Sequence, residues 1–298
     1  MKKIILFLLL VSFSLVVLYS CSNNTDREPE RIRGEETPVT EFEYTFNSDG
    51  GVTITANISG DKDIVIPQEI DGKKVTEIAD RAFYGHNWVV SVDIPDTVTV
   101  IGNYAFYRCI KLKTVVLPKN LEVIKDGAFV ECEMLSDVTL PNTLNVLGMS
   151  AFAKTGIKTV TLEEGLDDIG VGAFLGTQLK EIVLPSSIKT VGQMAFANCP
   201  ELESVTLNEG LVTIGYEAFA LNPKITEIII PKSVEQVYEN SFKNSPNLKK
   251  IKFEGNAPEG FYSEERLGLD EMNFTVYYHE GAEGFTSPEW NGYPTEIW

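Results

Sequence analysis

Histidine is almost missing from this chain: there are two, His86 and His279. Neither has a neighbour at the spacing of a metal site or a catalytic triad, so chemistry that runs through imidazole is not expected. Basic residues are also scarce, with 25 Lys and Arg against 43 Asp and Glu and a net charge of −18. Without Lys2 and Lys3, which belong to a leader, the count is 23 against 43, or −20. Such a surface repels nucleic acid and anionic lipid, and favours solubility or a basic partner. Cysteine is sparse too: four residues, which in an exported chain could suggest disulfides, but three of them sit at one fixed place in a repeat. Long apolar runs are absent but for Ile4 to Leu18, which follows two lysines and is too short to span a bilayer. That build predicts a secretory leader over residues 1–20.

What the chain does have is repetition. The stretch IGNYAFYRCIKLKTVVLPKNLEV is followed directly by IKDGAFVECEMLSDVTLPNTLNV. An Ala-Phe pair recurs at 82/83, 105/106, 128/129, 151/152, 173/174, 195/196 and 218/219, with Ser241-Phe242 as an eighth copy, in steps of 22 or 23. A fixed period in this range is the mark of a leucine-rich-repeat solenoid, whose coils bury their apolar sides only against one another. Within one coil, Leu112, Val115 and Leu117 alternate as an inward-facing strand does. Pro118 ends it because proline gives no amide hydrogen to a ladder. From Ile124, the apolar Ala128, Phe129 and Cys132 fall at i+4, i+5 and i+8, which predicts a short helical turn. The expected fold is a β-rich superhelix of about eight coils with short helical turns and a cap at each end. Its Phe rings would stack roughly 4.8 Å apart along about 38 Å.

The written-out pattern from Leu112 to Cys132, Leu-x-x-Val-x-Leu-Pro-x-x-Leu-x-x-Ile-x-x-x-Ala-Phe-x-x-Cys, resembles the BspA-like leucine-rich repeats of bacterial surface proteins. The resemblance covers about residues 42–253. It departs from ordinary leucine-rich repeats, which carry an asparagine ladder after the strand; the column here reads Thr97, Asn120, Thr143, Gly165, Ser187, Gly210 and Ser233. The family is associated with adhesion to host proteins and co-aggregation, and no binding residues transfer with its fold. Leu18-Tyr19-Ser20-Cys21 similarly resembles a bacterial lipobox, which implies that Cys21 becomes lipid-modified. Ser22 after it implies export to the outer membrane, with the cell surface as the expected address. Residues 21–38 are polar enough for a disordered tether. Alternation around Asp49-Gly50-Gly51 predicts a hairpin within an N-terminal cap and first coil at 39–77. Repeats then fill 78–253, and a ring-rich C-terminal cap fills 254–298.

The expected function is a lipid-anchored, monomeric and non-catalytic module without cofactor or metal. Membrane contact is through the N-terminal lipid only, and nucleic acid is excluded. The candidate binding face is the outward side of the strands: Thr114, Val116, Asp137, Thr139, Thr159, Thr161, Glu181, Val183, Ser204, Thr206, Glu227 and Ile229. Tyr84, Trp88 and Tyr107 are candidate aromatic contacts. Its partner would be a protein, of the host matrix or of another cell's surface, or alternatively a glycan, for which stacked exposed rings would be the sign. Other features have plainer readings. Cys109, Cys132 and Cys199 share a column with His86, Thr155, Thr177, Asn222 and Ser245 and are expected as buried thiols; a Cys109–Cys132 bridge is conceivable and would leave Cys199 over. Glu163, Glu164, Asp167 and Asp168 read as a solvated acidic turn before a calcium site. Gly170 to Gly176 imitates a nucleotide loop with the wrong last interval. Asp96-Thr97-Val98 resembles an acceptor motif for bacterial O-glycosylation, though a turn explains the same letters.

Overall fold

The computed structural model describes residues 35–261 and 274–298. The leader, Cys21 and the tether up to residue 34 lie outside the described residues. The repeats belong to one unit of the chain, Arg31–Trp298.

Each coil has three sides, and each side joins its neighbours through main-chain hydrogen bonds. The first side is a row of parallel strands three or four residues long that pair in separate short sheets. Ser91–Asp93 pairs with Thr114–Val116, Asp137–Leu140 with Thr159–Leu162, Glu181–Val183 with Ser204–Thr206, and Glu227–Ile230 with Lys250–Phe253, all in register. The second side is two parallel ladders of two-residue strands, one running from Val100–Ile101 to Val146–Leu147 and the other from Asp168–Ile169 to Gln236–Val237. Short strands suffice because β-branched residues sit where each chain segment must be extended and proline or glycine ends it.

The third side carries the Ala-Phe pair and differs from the helical turn that the spacing suggests. Among the described residues the one helix is a 3-10 turn at Val39–Glu41. Around Phe83 the amides of Ala82, Tyr84 and His86 donate back three residues, to the carbonyls of Ala79, Arg81 and Phe83. The amides between them, of Arg81, Phe83 and Gly85, donate across to Asn103, Ala105 and Tyr107 of the next coil. The alternation recurs in the following coil, and it satisfies every amide from Arg81 to His86. Its geometric cause is a pair of left-handed residues in every coil, one just before the Ala and one two places after the Phe. They are Arg81 and Gly85, Tyr104 and Arg108, Gly127 and Glu131, Ser150 and Lys154, and so on to Asn240 and Asn244. A positive φ every fourth residue cannot belong to an α-helix.

The interior is one continuous cluster. Phe83, Phe106, Phe129, Phe152, Phe174, Phe196, Phe219 and Phe242 form a file with successive centroids 4.7 to 6.0 Å apart. The Ala before each Phe leaves the room that the ring fills.

The stack has about ten coils, two more than the Ala-Phe marks count, because the coils at the ends lack that mark. Asp63–Val65 heads the first side of the stack, pairing with Ser91–Asp93, and Thr275–Tyr278 extends that side beyond Lys250–Phe253. Ahead of these, Phe42–Phe46 folds back on Val52–Asn57 as an antiparallel hairpin, with Gly50 at φ +82° in its turn. At the other end Tyr293–Ile297 pairs with Thr275–Tyr278 and with Glu289–Trp290. Rings close this end: Phe253 meets Phe285 and Trp290 at 5.3 and 5.8 Å, and Phe261 stacks on Trp290 at 5.1 Å.

Candidate functional site

The outward positions of the first side form two columns. In one, Thr114, Asp137, Thr159, Glu181 and Ser204 are exposed and Glu227 is half-buried. In the other, Thr139, Thr161 and Thr206 are exposed, and Val183 and Ile229 offer apolar surface at 55% and 40% exposure. Val116 is a correction: it is 5% exposed, and Ser91 and Asp93 beside it are buried as well. Alternation along a strand says which way a side chain points, whereas solvent access depends on what lies over that side. Ser91 illustrates this, since its hydroxyl donates to the Asp63 carboxylate within the sheet. The strand face is therefore open from Asp137 onward. Bonds between coils order its side chains: Thr159 Oγ1 donates to the Asp137 carboxylate, and Lys252 Nζ lies 2.9 Å from Glu227 Oε1.

The aromatic candidates belong elsewhere. Tyr84 and Trp88 are exposed and Tyr107 is half-buried, but they stand on the Ala-Phe side of the coil and following it, not among the strands. Tyr84 and Tyr107 stack at 4.9 Å, and Trp88 lies 4.6 Å from the His86 ring. Tyr104, absent from the candidates, meets Tyr107 edge-on at 5.9 Å, and the Arg81 guanidinium lies 5.8 Å from the Tyr84 centroid. The available signal was compositional. Between residues 78 and 253 the only arginines are Arg81 and Arg108 and the only tryptophan is Trp88.

The remaining candidates serve the scaffold. Cys109, Cys132 and Cys199 are free and buried, and their thiols donate to the carbonyls of Phe83, Phe106 and Phe174 in the preceding coil. Asn222 Nδ2 does the same toward Phe196, and His86 Nε2 lies 2.7 Å from the Asn57 carbonyl oxygen. Four side chains of this column thus tie to the Phe carbonyl of the coil before, while Thr155 and Thr177 bond the Phe carbonyl of their own coil. Burial raises the Cys132 thiol well above its ordinary pKa, and the Cys109 thiol beside it adds to the effect. Burial likewise raises Cys199. Neither is a nucleophile in this state. His279 stacks on Trp298 at 4.7 Å.

In the acidic turn, Glu164 is committed to the next coil: the amides of Ser186 and Ser187 donate to its carboxylate at 3.1 and 2.8 Å. Among the described residues no three His, Cys, Asp or Glu gather as a metal site would require. Thr97 Oγ1 is out of solvent and without a hydrogen-bond partner, so the folded chain withholds this hydroxyl from a modifying enzyme. The column it heads replaces an asparagine ladder with mixed donors: Asn120 Nδ2 donates to Asp96, Thr143 Oγ1 and Ser187 Oγ to Leu121 and Leu166, and Ser233 Oγ to Leu211. A half-open groove of about 460 Å³ beside the second ladder is lined by Thr213, Lys232, Glu235, Gln236, Asn256 and Glu259, among others.

Three-sided coils, a single filed core and long open faces define a leucine-rich-repeat solenoid. The BspA type leucine rich repeat region matches in six copies, over residues 62–179 and 167–263, and the chain belongs to this family. It is 32% identical to a leucine-rich repeat protein of T. pallidum, with 61% of this chain and 86% of that one covered and a TM-score of 0.58. A leucine-rich repeat protein from Bacteroides ovatus shares the fold at 23% identity, with 88% and 76% covered and a TM-score of 0.59. Among curated proteins none matches the chain. Repeats of this type are generally protein-interaction modules of bacterial surface proteins, and the fold is typical of non-enzymatic repeat proteins. No helix among the described residues is long and apolar enough to cross a membrane.

Proposed function

We propose that this chain is a lipid-anchored surface module that binds a large protein partner, of the host matrix or of another cell, on its strand face. In this reading residues 1–20 are removed, Cys21 carries the lipid at the outer membrane, and residues 21–38 tether a monomeric, non-catalytic stack whose caps are 39–77 and 254–298. The observation that carries it is the open tract from Asp137 to Ile229. There, exposed Thr139, Thr161 and Thr206 alternate with bare Val183 and Ile229 on a surface long enough for a macromolecule.

Solid-phase binding of the full chain to a panel of matrix proteins tests the face. Val183→Glu with Ile229→Glu is expected to weaken binding about tenfold or more while the thermal midpoint holds. Binding to none of the panel, with a ligand instead on a glycan array, would replace a protein partner by a carbohydrate. Cys21→Ala is expected to abolish incorporation of labelled fatty acid and release the protein from the membrane fraction; unchanged labelling would refute the anchor.

A further inference from the structure

We propose that the Ala-Phe side of the first two coils that carry this pair is a second docking surface, built by Arg81, Tyr84, Trp88, Tyr104, Tyr107 and Arg108 to receive an acidic segment of a partner protein. It lies on a different side of the coil from the strand face and stands or falls independently of it.

Residue type is the first argument. Tyr, Trp and Arg dominate the energetic centres of protein interfaces because they bring large rigid area and forked hydrogen bonding at little entropic cost. Both arginines, the only tryptophan and three of the five tyrosines between residues 78 and 253 fall within this one patch. The coils after them fill the columns of Arg81, Tyr84 and Arg108 with Gly, Ala, Ser, Asn, Lys, Glu, Met and aliphatic residues.

Pre-organisation is the second. Tyr104 leans over Gly127, where a β-carbon would overlap its ring. The positive φ at Gly127 does not itself demand glycine, for Arg81, Tyr104, Ser150, Met194 and Glu217 hold the same conformation in their coils. What the missing side chain provides is the seat for the ring. Tyr104 then sets its edge to Tyr107, Tyr107 stacks on Tyr84, Arg81 lies toward Tyr84, and Trp88 rests on a His86 ring fixed by Asn57. The array is in place before any partner arrives, which lowers the cost of binding.

Charge selects the partner. Residues 79–90 and 102–113 hold four cations, Arg81, Arg108, Lys111 and Lys113, against one carboxylate, Asp80, a local +3 in a chain of net −18, and of the four Arg108 lies 3.3 Å from Glu131 of the following coil. Asp80 is occupied by the Asn103 amide and side chain at 2.7 and 3.0 Å. Lys111 is exposed and occupies the position of Trp88 in the next coil. An acidic segment is drawn to this patch and repelled by most of the remaining surface.

The test is selection from a random peptide display library on the purified full chain, followed by calorimetry with the selected peptides and their Asn/Gln counterparts. Expected are acidic sequences whose affinity falls as salt rises, and falls about tenfold or more with Tyr84→Ala or with Arg81→Gly plus Arg108→Gly. The glycine variants remove the guanidinium groups from left-handed positions that glycine occupies in other coils, so lost binding cannot be laid to a broken fold. Val171→Ser, on the same side three coils on, is expected to bind as wild type. Gly127→Ala is expected to weaken binding by displacing Tyr104. Selection of neutral or basic peptides, or of none, overturns the proposal. So does full affinity in the paired arginine variant, loss caused by Val183→Glu in its place, or binding of polygalacturonate at the patch where no peptide binds.

Discussion

Backbone conformation sets what a single residue can do here. Leu221 sits at φ +61° with its side chain 44% exposed, so an ordinary L-residue carries a strain of roughly 1–2 kcal/mol for little burial. Leu221→Gly is therefore expected to leave stability unchanged or raise it by up to about 1 kcal/mol, read from the denaturant midpoint. Phe129→Ala, one position in the buried file, is expected to cost about 3–5 kcal/mol in the same measurement. The two residues also mark the reach of the sequence. Phe129 was legible because a core position repeats with the period of the coil. The left-handed sites were not, since Arg81, Tyr104, Met194, Glu217 and Leu221 are not residues that favour a positive φ. Val116 shows a further gap: its orientation was readable and its cover was not.

Among elements, the Ala-Phe turn is where local pattern and tertiary pairing disagree. Apolar residues at i+4, i+5 and i+8 fit a helical face, but every second amide is claimed by the next coil, and a helix would need those amides for itself. Coil-to-coil bonds from side chains follow the same logic, and Glu164 makes one of them sensitive to acid. Partial desolvation pushes its pKa up, yet the amides of Ser186 and Ser187 and the Ser186 hydroxyl outweigh this and hold it below the ordinary 4.5. A depressed folded-state pKa means that the unfolded chain binds more protons over that range. The contribution is then whole above about pH 4.5 and lost as pH falls through the folded value. Glu164→Gln is expected to remove this share of the acid limb, so that thermal midpoints of variant and wild type converge as the pH is lowered. An unchanged difference between them across that range would refute the assignment. The strand face was legible as a register of outward positions, whereas the Tyr104 seat was hidden because it depends on a glycine in the following coil.

For the whole molecule, ends matter more than length. Every interior coil hands its amides and apolar side to a neighbour, and the last relies on Phe285, Trp290 and Tyr293 to shield Phe253, Phe261 and Phe274. Removing residues 274–298 is expected to bare Phe253, Phe261 and the edge of Lys250–Phe253, giving concentration-dependent aggregation in light scattering; a monodisperse truncated chain would show that the terminal rings are dispensable. Alternating main-chain donation also has an evolutionary reach. The contacts that weld one turn of the stack to the next ask little of side-chain identity beyond a ring, a small residue and a short extended segment. An in-frame duplication inside the gene would add a turn that fits at once, and a deletion would close without a scar. A lineage built this way can lengthen or shorten its exterior between generations while the residues that meet the outside world drift separately in each copy.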